Sequence, residues 1–149
     1  MIDLHVEWYE PTYPPEVTGQ QRGNSGVYLQ DRYELQVLDS YGDPSLDSSE
    51  AGAIYSKRAP DRNAATAPTT WQSYDLVFRA ARFDPSGNRT QQARVTVVWN
   101  GFVVHDDVTV DGPTGGGAAE SALAGPIRLQ DHGDPGANPR FRNIWLEPL

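Results

Sequence analysis

Apolar and polar side chains alternate one by one through most of this 149-residue chain. "IDLHVEW" sets Ile2, Leu4, Val6 and Trp8 against Asp3, His5 and Glu7. "SGVYLQ" (25–30) sets Val27 and Leu29 against Gly26, Tyr28 and Gln30, and "YELQVLD" (33–39) sets Leu35 and Val37 against Glu34 and Gln36. The pattern returns in "SYDLVFRAARF" (73–83), "ARVTVVWN" (93–100), "FVVHDDVTV" (102–110), "PIRLQDH" (126–132) and "FRNIWLEPL" (141–149). A period of two belongs to strands, where successive side chains point to opposite faces; no segment of helix length carries a 3.6-residue apolar stripe.

The connections agree with that reading. Asn100-Gly101 between two alternating runs is a strong hairpin signal. Three long turn-rich stretches, 10–24, 40–70 and 112–121, hold many of the 14 glycines and 12 prolines, with a short strand expected at Ala53–Tyr55. Loops of that length in a compact domain are usually functional or disordered. The chain shows no repeat and no linker. The expectation is one all-β domain over 1–149, a sandwich of two antiparallel sheets.

Charge narrows the partners. The formal net charge is −8 and the only lysine is Lys57. Nucleic acid and anionic membrane surfaces are repelled by such a field, so neither is expected as a partner. There is no cysteine, which removes disulfides, thiolate metal sites and cysteine nucleophiles. No apolar run approaches the roughly 20 residues of a membrane span. The first residues enter strand alternation at once, so no signal peptide is expected in this chain, and its compartment stays open.

Four blocks carry a likeness to a known family: "RGNSGVYLQDRYELQVLDSYG" (22–42), "WQSYDLVFRAARFD" (71–84), "ARVTVVWNGFVVHDDVTVDGPTGG" (93–116) and "GPIRLQDHGDPGANPRFRNIWLEPL" (125–149). In order and spacing they resemble the 3-keto-disaccharide hydrolase domain, from about Leu4 to the C-terminus. The resemblance implies a concanavalin-like jelly roll and cleavage of glycosidic bonds in sugars oxidised at C3. Members of that family usually carry a further N-terminal segment before the "LHVEW" strand. Without it, the expectation is either a shorter variant that closes the sandwich differently or a free sheet edge covered by another chain, and an uncovered edge favours a homodimer.

A C3 ketone acidifies the hydrogen at C2, so a base can remove it while the aglycone leaves C1. Water then adds to the enone. This needs a base near neutral pKa, a proton donor for the leaving oxygen and donors around the enolate oxygen. Strand parity collects such groups on one polar face: His5 and Glu7; Tyr28 and Gln30; Glu34 and Gln36; Arg128, Gln130 and His132, with Asn24 expected at the rim. His132 is the expected base, since imidazole titrates near pH 6.5. Glu34 is the expected proton donor if burial raises its pKa. Arg128 is the expected anion holder, or else the ion-pair partner of Glu34. His5, Glu7, Asn24, Tyr28, Gln30, Gln36 and Gln130 are expected to read sugar hydroxyls, with Trp71 and Tyr55 as stacking surfaces. A divalent metal on His5, Glu7 and His132 is the alternative role of those side chains. Asp39, Asp43 and Asp47 resemble a Ca²⁺ loop without its Gly and Glu positions. "GPTGGG" (112–117) is a candidate lid, and His105 is expected to face solvent on a hairpin. The competing readings are a lectin-like binding module and an assembly domain.

Overall fold

The computed structural model describes residues 1–134 and 138–149. Its strands are β1 (Ile2–Tyr9), β2 (Ser25–Leu29), β3 (Tyr33–Val37), β4 (Trp71–Arg79), β5 (Arg82–Phe83), β6 (Arg89–Gln91), β7 (Ala93–Trp99), β8 (Phe102–Val110), β9 (Arg128–Leu129) and β10 (Arg140–Pro148). A five-stranded sheet runs β10-β1-β4-β7-β8 and a three-stranded sheet runs β3-β2-β9. β5 and β6 form a separate ribbon. Every pairing is antiparallel, and the chain is an all-β sandwich of the kind a jelly roll builds.

The apolar rows of both sheets meet in one core. Leu4, Val6, Trp8, Leu76, Phe78, Val95 and Val97 come from the larger sheet; Val27, Leu29, Leu35 and Val37 come from the smaller. Three aromatics tie the larger sheet together. Trp8 lies 4.2 Å from Tyr74 and 6.3 Å from Trp99, centroid to centroid. The Tyr74 hydroxyl crosses the core and donates to the Gln36 carbonyl at 2.6 Å, linking the two layers. The Asn100-Gly101 turn joins β7 to β8 with φ of 50° and 83°, the left-handed pair that a two-residue hairpin requires.

β1, β4 and β7 keep the alternating burial that their sequences set out, whereas β2 and β3 are buried on both faces. The long loops account for the difference. Ile54 bridges to Leu35, Gln36 N–H donates to the Ala53 carbonyl, and Tyr55 N–H donates to the Glu34 carbonyl. From the other side Thr114 N–H donates to the Arg32 carbonyl. Polar side chains that strand parity sends outward therefore lie under loops. The 112–121 loop is not a free lid: a Cβ on Gly117 would come 2.2 Å from the Arg32 carbonyl oxygen, so this backbone is packed directly on the β2–β3 turn.

His105 departs from expectation. A bulge displaces the β7–β8 register, so Val104 and His105 are both fully buried. The ring receives the Arg58 Nε–H at Nδ1 and presents Nε2 to the Gly52 carbonyl at 2.8 Å. Burial pushes its pKa down, which suits a neutral structural ring and not a solvent-facing one.

Glu10 is also buried. It takes a hydrogen bond from the Tyr13 hydroxyl at 3.0 Å, close to the Arg22–Asp39 ion pair. Its neighbour Gly23 has φ of 73° and leaves no room for a side chain: a Cβ there would sit 2.0 Å from Glu10 Oε2. Burial raises the Glu10 carboxyl to about 8, opposed by the Tyr13 hydrogen bond. The folded state thus holds a proton that an unfolded carboxyl, at 4.5, releases. Its stabilisation is complete below 4.5 and is lost as pH rises through about 8. Glu10→Gln is expected to flatten this decline, read as a Tm that varies less with pH between those limits. An unchanged slope would show that the group titrates as an ordinary carboxyl.

Candidate functional site

The small sheet lines up its polar residues by register. Tyr28 pairs with Glu34 on β3 and with Arg128 on β9, making one row across three strands. Gly26 pairs with Gln36, and Gln130 N–H donates to the Gly26 carbonyl at 2.9 Å, making the next row. Gly26 is what lets the rows interlock. A Cβ there would lie 2.2 Å from Glu34 Oε1, so the glutamate side chain lies over the glycine and occupies that space.

Glu34 is 4% exposed. Tyr28 donates its hydroxyl to Oε2 at 2.8 Å, with the Gly115 carbonyl as an alternative acceptor at 3.0 Å. Thr114 Oγ1 accepts the Glu34 N–H at 2.8 Å and fixes the backbone. Burial raises the Glu34 carboxyl to about 7, while Tyr28, Arg128 and His132 pull it down. A carboxyl with that pKa exchanges a proton near neutrality, as a general acid must. The Tyr28 hydroxyl is pushed well above its ordinary range, first by burial and then by Glu34, so it stays protonated and acts as a donor.

Glu34 opens into a hollow of about 280 Å³. Tyr28, Tyr55, Gly115, Gly116, Asn24, Gln130 and His132 line it. His132 is 42% exposed, and its Nδ1 lies 2.9 Å from Asp134 Oδ2. With a carboxylate beside Nδ1, Nε2 is the nitrogen left for a ligand. Gln36 lies fully buried beneath. Its amide contacts Gln20 and Asn24, and in the turned orientation donates to Glu34 Oε1 at 3.2 Å.

Of the expected site residues, the structure brings Asn24, Tyr28, Glu34, Gln130 and His132 to one hollow, with Gln36 behind them. It does not bring the rest. His5 and Glu7 belong to β1, in the other sheet, on its outer face. His5 sits 2.6 Å from Asp75 and stacks on Trp145, while Arg142 holds Glu7 below the usual carboxylate range. His5 and Glu7 therefore do not converge with His132. Among the described residues no three His, Asp or Glu side chains are grouped to hold a metal ion. Trp71 lies on that same far face, covered by the Arg142 guanidinium at 3.8 Å. Gln30 leaves the row because β2 ends at Leu29; its φ of 54° turns the chain, and its amide accepts from Arg32. Asp39 pairs with Arg22, whereas Asp43 and Asp47 cap the turns at Ser45 and Ser49.

Arg128 is in the row but not in the hollow. It stacks 3.9 Å over the Tyr28 ring, pairs with Asp31 at 2.5 Å and donates to the Gly116 carbonyl. Its charge tempers Glu34 without a direct ion pair. Sequence reasoning misses Asp134, Asp31, Thr114 and the space above Gly26. The signals are nonetheless present: "HGD" puts a carboxylate two residues after His132, and a glycine interrupts an otherwise side-chain-bearing strand.

The family model for the 3-keto-alpha-glucoside-1,2-lyase-like domain matches residues 2–147. A crystal structure from Parabacteroides distasonis ATCC 8503, provisionally called a glycosyl hydrolase, superposes with TM-score 0.88 at 40% identity. The match covers 99% of this chain and 64% of that one, so the chain spans less than two thirds of that relative's length. Two further structures from the same organism, given the same provisional description, match at 17% identity with TM-score 0.64 and at 16% with TM-score 0.55. Each covers 99% of this chain, with 71% and 78% of the other chain, and they show the fold alone. No curated protein matches.

Proposed function

The chain belongs to the 3-keto-alpha-glucoside-1,2-lyase-like domain family, and we propose that it cleaves the glycosidic bond of 3-keto-glycosides by elimination across C1 and C2. The observation that carries this is Glu34. It is a buried carboxyl titrating at about 7 that shares one hollow with His132. Two titratable groups in unlike environments, one buried and one open to ligand, form an acid–base pair suited to this chemistry.

In this reading His132 takes the proton from C2. The released electron pair forms the C1–C2 double bond, conjugated to the C3 ketone. The C1–O bond breaks, and the departing oxygen takes the proton held by Glu34. Adding water across the double bond returns hydrogen to C2 and hydroxyl to C1, for a net hydrolysis. The Tyr28 hydroxyl and the Asn24 and Gln130 amides, which line the hollow, would read the hydroxyls of the sugar. Arg128 acts from behind, holding the Tyr28 ring in place.

The test is release of the aglycone from a chromogenic 3-keto-glucoside, set beside its parent with a C3 hydroxyl. The keto sugar is expected to turn over and the parent is not. Equal turnover of both would remove the role of the ketone. Binding of the keto sugar without release would mark a lectin-like module.

A further inference from the structure

We propose that a second hollow, adjoining the first, is the leaving-group subsite and takes a ring with an apolar face, such as an aryl group or a second pyranose. This rests on the function proposed above. The second hollow has a volume of about 300 Å³ and shares Asn24, Gln130 and His132 with the first. The two therefore adjoin along these three side chains. Each alone lies near the lower limit for small-molecule sites, roughly 300–1,000 Å³; together they suit a two-ring ligand.

The two ends differ in chemistry. The Glu34 end presents a titratable carboxyl, a hydroxyl and backbone carbonyls, which are the groups the reacting ring needs. The other end presents Leu129, Pro139 and Phe141, with Asp131 and Asn138 at its polar edge. Phe141 faces the sandwich side of β10, opposite Trp8, and packs on the core while part of its ring remains open. A partly fixed aromatic face is a surface on which a flat apolar ring stacks.

Gln130, which lines both hollows, buries its Oε1 without a hydrogen-bond partner among the described residues, and a buried acceptor without a donor is costly.

The experiment compares p-nitrophenyl and methyl 3-keto-α-glucosides with the wild-type chain, Phe141→Ala and Phe141→Leu. The alanine variant is expected to raise KM for the aryl substrate about 3–10-fold. Its kcat, and its KM for the methyl substrate, should stay close to wild type. Phe141→Leu keeps the core filled and should show a smaller shift of the same sign. Equal changes for both substrates, or none, would overturn the subsite while leaving the proposed function standing. If the wild type turns over neither substrate, the proposed function fails, and calorimetry with p-nitrophenyl and methyl α-glucoside decides the subsite. A preference for the aryl ligand that Phe141→Leu weakens supports it; no preference overturns it.

Discussion

Glu34→Gln is expected to lower kcat/KM toward a 3-keto-glucoside about 10²–10⁴-fold, the contribution of a positioned general acid. The amide keeps the shape of the carboxyl and can still accept the Tyr28 hydroxyl, so the fold should survive. What it removes is the transferable proton. The acid form of Glu34 is present below about 7 and is lost as pH rises through that value. Wild-type activity should therefore fall on the alkaline side of neutrality, and that limb should vanish in the variant. Turnover by Glu34→Gln at the wild-type rate would show that the buried carboxyl is structural.

Gly26→Ala should cost on the order of 10²-fold in the same assay, although it adds one methyl group and touches no substrate. The new Cβ would fall 2.2 Å from Glu34 Oε1 and 2.7 Å from its Cγ. Strand backbone accepts alanine, and the clash is with a flexible side chain. The carboxyl should therefore move while the sheet persists, at about 1–3 kcal/mol of overpacking. Thermal unfolding measured beside activity separates the two effects. The double variant Gly26→Ala, Glu34→Gln should be little worse than Glu34→Gln alone, because both changes disable one group. Fully additive losses would mean that Gly26 acts through something other than the glutamate.

The architecture is legible in the sequence where its signals are local. Alternation locates β1, β4 and β7 with their inward rows, and Asn100-Gly101 marks the β7–β8 turn. The row Glu34, Tyr28, Arg128 is also legible, since period two puts these residues on one face of neighbouring strands. Alternation does not say which sheet a strand joins. His5 and Glu7 have the right parity and sit in the other layer. Nor does it register a bulge, which is why His105 is buried, or a left-handed residue, which is why Gln30 turns away. The loops are visible only as length and composition. Their packing over β2 and β3 is what buries Glu34 and raises its pKa, so the property that most favours catalysis arises from contacts between segments some 20 to 80 residues apart.

Removal of the C2 proton separates elimination from direct displacement, and deuterium reports it directly. A 3-keto-α-glucoside is incubated with the wild-type chain in D₂O, and the C2 position of the released sugar is followed by NMR against an enzyme-free control. Elimination followed by addition of water predicts deuterium at C2 in the product, appearing with aglycone release and faster than in the control. A product released with its original hydrogen still at C2 would point to direct displacement at C1 and would rule out elimination with solvent exchange.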